Sequence, residues 1–359
     1  MFYKKDNKMK LFKNILLIVS FLILSNQLTA QKNIYVLATG GTIAGAQVFA
    51  NKPGYKSGSF SVDDLISAVP KLKTIANLKG EQVSNIGSQD MNDKVWLKLG
   101  KRVNELLAQD NVDGIVITHG TDTYEETAYY LNLVVNSEKP VVMVASMRPA
   151  TAISADGPMN LFMGVVVASQ DQAKSRGVLC VMNNEIHYAA EITKYMTVNV
   201  AAMKSPNRGL AGKIDAQIVR FFSPTLKKHT INSELRVGKD IEELPQVEII
   251  YAHANMGGNM IDAAVASGAK GIIIAGVGDG NMTSIAFDAL SKHAKNGIVI
   301  VRSSRVGMGA VKRNIEVNDD DHGFVVSMEL NPSKARVLLQ LALLKKANVK
   351  EIQQMYMEY

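Results

Sequence analysis

The chain has 359 residues, 47% hydrophobic and 20% charged, with 27 Gly and 9 Pro; this is the balance of a folded globular protein of about two domains, and it excludes a disordered chain. Cys180 is the only cysteine, which excludes a disulfide scaffold. The formal charge of +7 does not mark a polyanion groove: Lys4, Lys5, Lys8, Lys10 and Lys13 against Asp6 place +4 of it in residues 1–30, leaving +3 for the rest, and no basic–aromatic interleaving points to nucleic acid.

At the N-terminus, the lysines precede the apolar run Ile15–Leu24, which is followed by Ser25, Asn26 and Gln27 and then by Leu28, Thr29 and Ala30. A bilayer span needs about 20 apolar residues, and this run is half that. The order basic, apolar, small is that of a secretory signal peptide, with cleavage near Ala30 and a mature chain starting near Gln31. Met9 is an alternative start, because Met9–Lys13 already supplies the basic end. No cysteine stands directly after the run, so lipoprotein anchoring is excluded. The expectation is a periplasmic or secreted protein with no stable membrane anchor after cleavage.

Beyond the leader, short apolar runs alternate with stretches of helical period. The runs are Asn33–Thr39, Gly114–Thr118, Pro140–Ala145 and Gly177–Met182, apolar on both alternating faces. Such runs fit strands buried on both sides, as in a parallel sheet covered by helices. Between them, Ser61 and Asp64 predict a capped helix start. Asn92–Leu107 carries Val95, Leu99, Val103, Leu106 and Leu107 at 3/4 spacing, and Thr123–Val135 places Thr127, Tyr130, Leu131 and Val134 on one side. From about 221 to 246 the periodicity weakens and charge density rises, which reads as a linker over the surface. A second series then starts, with strands at Val247–Tyr251, Gly271–Gly276 and Gly297–Arg302 and helices near 257–268, 281–295, 333–346 and 348–357. The expected fold class is α/β: two doubly wound parallel-sheet domains, a larger N-terminal one (31–220) and a smaller C-terminal one (247–359).

The familiar motifs are absent. Gly40–Gly45 follows the first strand without the dinucleotide spacing, and there is no phosphate loop, zinc pattern among the six histidines, or serine elbow. A site with neither metal nor cofactor is the default. Two places share another pattern. Val36–Thr42 and Val116–Asp122 each run a buried strand out through glycine to a threonine, where open α/β sheets bind ligands. Glycine lets backbone approach a ligand, and N–H groups there can hold developing negative charge. A threonine so placed is a candidate nucleophile, but equally a helix cap or turn former. A hydroxyl nucleophile needs a base; without a suitable histidine, a lysine depressed by burial is a candidate, and composition does not say which. The residues alone lead to an α/β enzyme with strand-end threonines, hydrolytic in character.

From Asn33 to Tyr359 the chain also carries a set of ordered segments: Ala38–Gly45, Gly80–Val83, Asn85–Asp93, Thr118–Thr123, Glu125–Ala128, Met147–Pro149, Ser154–Pro158, Arg302–Val306, and Asn331 and Pro332 leading into Lys334–Gln340. In these it resembles the bacterial type II (periplasmic) L-asparaginases and glutaminase-asparaginases. The resemblance implies an exported amidohydrolase that converts L-asparagine to L-aspartate and ammonia through a threonine acyl-enzyme, with weaker use of L-glutamine and no cofactor. It places the nucleophile at Thr42 and a lid tyrosine at Tyr55. Ser88 and Gln89 hold the α-carboxylate and α-amino group, and Asp122 pairs with the α-ammonium. Thr121, Lys194 and Asp122 form a Thr–Lys–Asp set, and the Asn255 and Glu316 counterparts complete the pocket from a neighbouring subunit of a homotetramer built as a dimer of dimers. Comparable use of glutamine is the nearest alternative within the class; a non-catalytic periplasmic amino-acid-binding protein is the alternative outside it, and ammonia release separates the two.

Overall fold

The computed structural model describes residues 31–47, 55–56, 58–215 and 217–359, without the side chains of Gln47 and Tyr55. The expected leader (1–30) and most of the lid segment (48–54) lie outside the described residues.

The first part of the chain runs Lys32–Gly40 (β1), Ala46–Gln47 (β2), Tyr55–Lys56 (β3), Val62–Ser67 (α1), Ala76–Ile86 (β4), Asp93–Leu107 (α2), Gly114–Thr118 (β5), Tyr124–Val134 (α3), Val141–Val144 (β6), Gly157–Ala168 (α4) and Val178–Met182 (β7). Glu185–Tyr188 (β8), Thr193–Lys194 (β9), Met203–Lys204 (β10), Gly212–Asp215 (β11) and Ile218–Phe221 (β12) follow. Helix α1 starts on the expected cap: Ser61 Oγ accepts from Asp64 N, and the Asp64 carboxylate accepts from Ser61 N. Eight strands form one sheet in the order β12-β11-β8-β7-β6-β5-β1-β4. Within it β4, β1, β5, β6 and β7 are parallel, and β5, β6 and β7 are buried along their whole length, as continuous apolar runs require.

The parallel pattern expected throughout stops at β7. Asn183 and Asn184 stand at φ 51° and 64°, and Met182 pairs directly with Glu185. Two consecutive positive-φ residues make a two-residue hairpin turn. The chain therefore turns back instead of crossing over, and β8, β11 and β12 extend the sheet in antiparallel fashion.

The second series comprises Val247–Tyr251 (β13), Asn259–Ala266 (α5), Gly271–Gly276 (β14), Ser284–Lys295 (α6), Val299–Ser304 (β15), Asp319–His322 (α7), Val325–Val326 (β16), Pro332–Leu344 (α8) and Val349–Glu358 (α9). Its four strands are all parallel, in the order β13-β14-β15-β16. One apolar cluster is shared between the two series: Tyr129, Tyr130 and Leu133 of α3 lie in the same core as Leu338 and Leu341 of α8 and Ile273 of β14. This changes the reading of α3. Its apolar residues were expected on one side, but almost every residue of the helix is buried, because α8 covers the face turned away from the first sheet. Segment 222–246 is likewise more than a surface crossing. Leu235 and Leu244 are buried in the shared core, and Lys101 Nζ donates to the carbonyls of Lys239 and Ile241 at 2.7 and 2.9 Å.

In the large sheet β1 lies between β4 and β5. The chain leaves β1 towards β4 and then returns past β1 to form β5. The carboxyl ends of β1 and β5 therefore flank a topological switch point, where a crevice opens in sheets of this order.

Candidate active site

Three parallel strands deliver their ends to that crevice. Ala38 pairs with Thr118, and Gly40 with Ile86, so the residues following β1, β4 and β5 emerge side by side. Gly41, at φ 79° and ψ −173°, leads into a single 3-10 turn, Thr42–Ala44. A Cβ on Gly41 would stand 2.3 Å from Gly120 N, and one on Gly120 would stand 2.5 Å from Ser88 Oγ and 3.1 Å from Gly41 Cα. Gly41 and Gly120 thus touch through bare backbone, and the Ser88 side chain packs against Gly120. This contact gathers Thr42, Ser88 and Thr121, which are only 5–6% exposed. Ser88 ties two of the segments together: its Oγ accepts from Asp122 N at 3.1 Å, and its carbonyl accepts from Thr123 Oγ1 at 2.7 Å.

Lys194 enters from β9, outside the large sheet. Its Nζ donates to Thr121 Oγ1 at 2.9 Å and to Asp122 Oδ1 at 2.6 Å. The lysine side chain is 20% exposed and the aspartate 51% exposed, so the ammonium is screened while one flank of the carboxylate stays open to solvent. The Thr–Lys–Asp set expected from the resemblance is therefore in hydrogen-bond contact. Gln89 is next to Ser88 in sequence but exposed, with its Nε2 on Asp90 Oδ2 at 3.1 Å. Position 55 is described only by its backbone, which pairs with Gln47 across the β2–β3 ribbon; this brings the Tyr55 position back beside the chain that leaves Thr42, and its side chain lies outside the described residues.

Asn255 and Glu316 lie elsewhere, past the carboxyl ends of β13 and β15, and both are exposed. Glu316 Oε2 accepts from Asn281 Nδ2 at 3.0 Å. Among the described residues no hydrogen bond or ion pair connects them to the Thr42 cluster. Asn281, which follows β14, was not anticipated; its place beyond a strand of the second sheet was the available signal.

Three further residues around the first cluster were quoted only as parts of motifs. Glu125, 8% exposed in the first turn of α3, accepts from Lys194 N at 3.1 Å and from Asn331 Nδ2 at 2.8 Å. Lys334, buried on α8, is held below the usual lysine range by desolvation, against the opposing pull of Glu125 and Glu191. His119, between Thr118 and Gly120, is fully buried, and burial lowers its pKa to about 4. Its Nδ1 faces the Gly120 carbonyl at 2.7 Å, which assigns the proton to Nδ1. This neutral ring supports the loop from behind.

Known proteins are similar to this one over nearly the whole chain. Residues 33–227 match the family model described as Asparaginase, N-terminal, and residues 246–356 match that of the Glutaminase/Asparaginase C-terminal domain. A probable periplasmic L-asparaginase of Haemophilus influenzae is 51% identical over 327 residues, 91% of this chain and 93% of that protein. L-asparaginase 2 of Escherichia coli is 48% identical over 351 residues, 98% of this chain and all of that protein, and a glutaminase-asparaginase of Pseudomonas fluorescens biotype A is 45% identical over 333. Among solved structures, a probable cytoplasmic L-asparaginase of Campylobacter jejuni superposes with a TM-score of 0.88 at 42% identity, covering 92% of this chain and all of that one. Two family models and relatives of full length, on a crevice built from those very segments, leave one conclusion: the chain belongs to the asparaginase family.

Proposed function

We propose that the protein hydrolyses L-asparagine to L-aspartate and ammonia, with Thr42 as nucleophile. The observation that carries this reading is the contact of Lys194 Nζ with both Thr121 Oγ1 and Asp122 Oδ1, at the strand ends that also bury Thr42. Thr42 Oγ1 attacks the side-chain amide carbon, and the C–N bond breaks. The hydroxyl proton finishes on the departing ammonia, leaving an aspartyl ester on Thr42. Backbone N–H groups of the Thr121 loop face the charge that develops on the carbonyl oxygen. Water, oriented through Thr121 and Lys194, then cleaves the ester and regenerates the hydroxyl. Ser88 and Gln89 take the α-carboxylate and α-amino group, and the open flank of Asp122 suits the α-ammonium, which must be paired once it leaves water. Tyr55 closes with the lid.

Glutamine differs by one methylene, a distinction worth about 1–3 kcal/mol or 10–200-fold, so slower glutaminase activity accompanies the main reaction. The names of the relatives, L-asparaginases at 37–51% identity and glutaminase-asparaginases at 43–45%, support use of both amides. The leader supports export to the periplasm with cleavage near Ala30. Asn255 and Glu316, remote from Thr42 in hydrogen bonding, suit a pocket completed by a neighbouring subunit of a homotetramer.

The test is steady-state ammonia release from asparagine and glutamine in parallel, on purified mature protein whose mass in solution is measured. It is joined to mass spectrometry of the trapped adduct. Thr42→Ala and Lys194→Met are each expected to lower the rate by orders of magnitude. An aspartyl adduct found on another residue, with none on Thr42, overturns the reading.

A further inference from the structure

Lys194 has to meet Thr121 Oγ1 and Asp122 Oδ1 to within a few tenths of an ångström, yet it rides on β9, a strand of two residues that among the described residues pairs only with β10. So short a ribbon has little rigidity of its own. From outside the ribbon, Glu125 holds its backbone. One carboxylate oxygen, Oε2, accepts from Lys194 N at 3.1 Å; the other, Oε1, accepts from Asn331 Nδ2 at 2.8 Å. Asn331 is the N-cap of α8, where its Oδ1 accepts from Lys334 N at 3.1 Å. The amide is thereby committed, with oxygen on the helix and nitrogen on Glu125 at 2.8 Å and, at a longer 3.5 Å, on Thr193 Oγ1 of β9. Glu125 thus meets a donor on each side, and only a group with two acceptor oxygens satisfies both. It also stands in the first turn of the helix entered directly from the Thr121–Asp122 loop. The loop therefore presents the partners of Lys194 Nζ, and the helix turn that follows it directly grips the Lys194 backbone.

We propose that Glu125 is a positioning residue for the reaction: its buried carboxylate, bridging β9 to the cap of α8, sets Lys194 Nζ on Thr121 Oγ1. The inference rests on the role given to Lys194 above. Replacing Glu125 by Gln preserves size and burial but turns an N–H donor towards either Lys194 N or Asn331 Nδ2. The Asn331 side chain cannot flip to receive it without uncapping α8. The strain is relieved where the structure is weakest, at the two-residue strand, and Nζ moves off its partner.

The experiment measures kcat, KM and Tm for Glu125→Gln, Lys194→Met and the double variant, with asparagine as substrate. Glu125→Gln should lower kcat about 10–100-fold, the cost of a misplaced catalytic group, with KM changed by less than about threefold. On the Lys194→Met background the same substitution should change the residual kcat by less than about twofold, because residues that act through one another are not additive. A wild-type kcat for Glu125→Gln, or the same fold-loss on both backgrounds, overturns the proposal; a general loss of structure would produce the latter. Full activity of Lys194→Met alone overturns the lysine's role itself, and so is recognisable as a separate failure. If Glu125→Gln does not fold, Asn331→Ser keeps a capping oxygen, removes the donor to Oε1, and supplies the same two-background comparison.

Discussion

Replacing Gly41 by alanine tests whether the site is held together by backbone contact between strand ends. Gly41 sits at φ 79° and ψ −173°, a region that essentially only glycine occupies, so a side chain there costs about 1–3 kcal/mol in backbone strain. The added Cβ would stand 2.3 Å from Gly120 N and 2.5 Å from Gly120 Cα. Both are backbone atoms and cannot swing aside, and such overpacking costs about 1–3 kcal/mol more. The total, about 2–6 kcal/mol, lowers Tm by roughly 4–24 °C at 2–4 °C per kcal/mol. Restoring an ordinary contact of 3.4 Å requires the β1 and β5 ends to part by about 1 Å, a displacement that costs about 10²-fold in rate when it separates reacting groups. Gly257 has no positive φ and nothing within 4 Å of its would-be Cβ, so Gly257→Ala is the control, with stability unchanged to within about 0.5 kcal/mol. Thermal denaturation followed by the ammonia assay reads both effects. A Gly41→Ala protein with wild-type Tm and kcat would refute the claim that these glycines bring the segments carrying Thr42 and Thr121 together.

Three further outcomes follow from buried charge. Arg302 and Asp319 are fully buried, and the guanidinium makes five hydrogen bonds, to both carboxylate oxygens and to the carbonyls of Asp279, Gly280 and Lys312; Arg302→Met should cost about 3–5 kcal/mol in urea denaturation by stranding Asp319, and adding Asp319→Leu should recover part of it. His119 folds as the neutral ring with a pKa near 4, against about 6.5 unfolded. Its contribution is complete above pH 6.5 and drains away as pH falls towards 4, by about 3 kcal/mol at most. His119→Asn should flatten the stability–pH slope in that window, and an unchanged slope would contradict its burial as a neutral group. Glu126 is raised to about 7, chiefly by burial and despite Arg336, so the native state favours its protonated form. Its contribution is present below pH 4.5 and lost as pH rises through 7. Glu126→Gln, neutral throughout, should therefore exceed the wild type in stability above pH 7 by about 1–3 kcal/mol, as read by urea denaturation at pH 8.

The elements that were legible beforehand are those whose signal is local. Gly114–Thr118 reads as a strand because both faces are apolar, and both faces are buried. Ser61 reads as a cap because its partner is three residues away. The threonines after β1 and β5 are readable because the turn, the glycines and the hydroxyl occupy one short stretch. The antiparallel edge carried its own signal, since the paired asparagines at 183 and 184 suit a two-residue hairpin, but a series of crossovers had set the opposite expectation.

What stayed hidden depends on which distant residue meets which. Lys194 lies 73 positions from Thr121, on a strand too short to show any period. Nothing in its neighbourhood distinguishes it from the other lysines without the resemblance. Helix α3 shows the same limit from the apolar side. An alternation pattern reports that a residue is buried, not what buries it, and the pattern on α3 could not announce that α8 would cover its second face. That docking is also what brings Asn331 against Glu125, 206 residues apart. The packing that made α3 unreadable as a one-sided helix is thus the packing that places a fixed donor beside the carboxylate gripping Lys194. If so, a substitution that loosens α8 from α3 without touching the crevice should reach the chemistry through Asn331 and Glu125, as a loss in kcat rather than in substrate affinity.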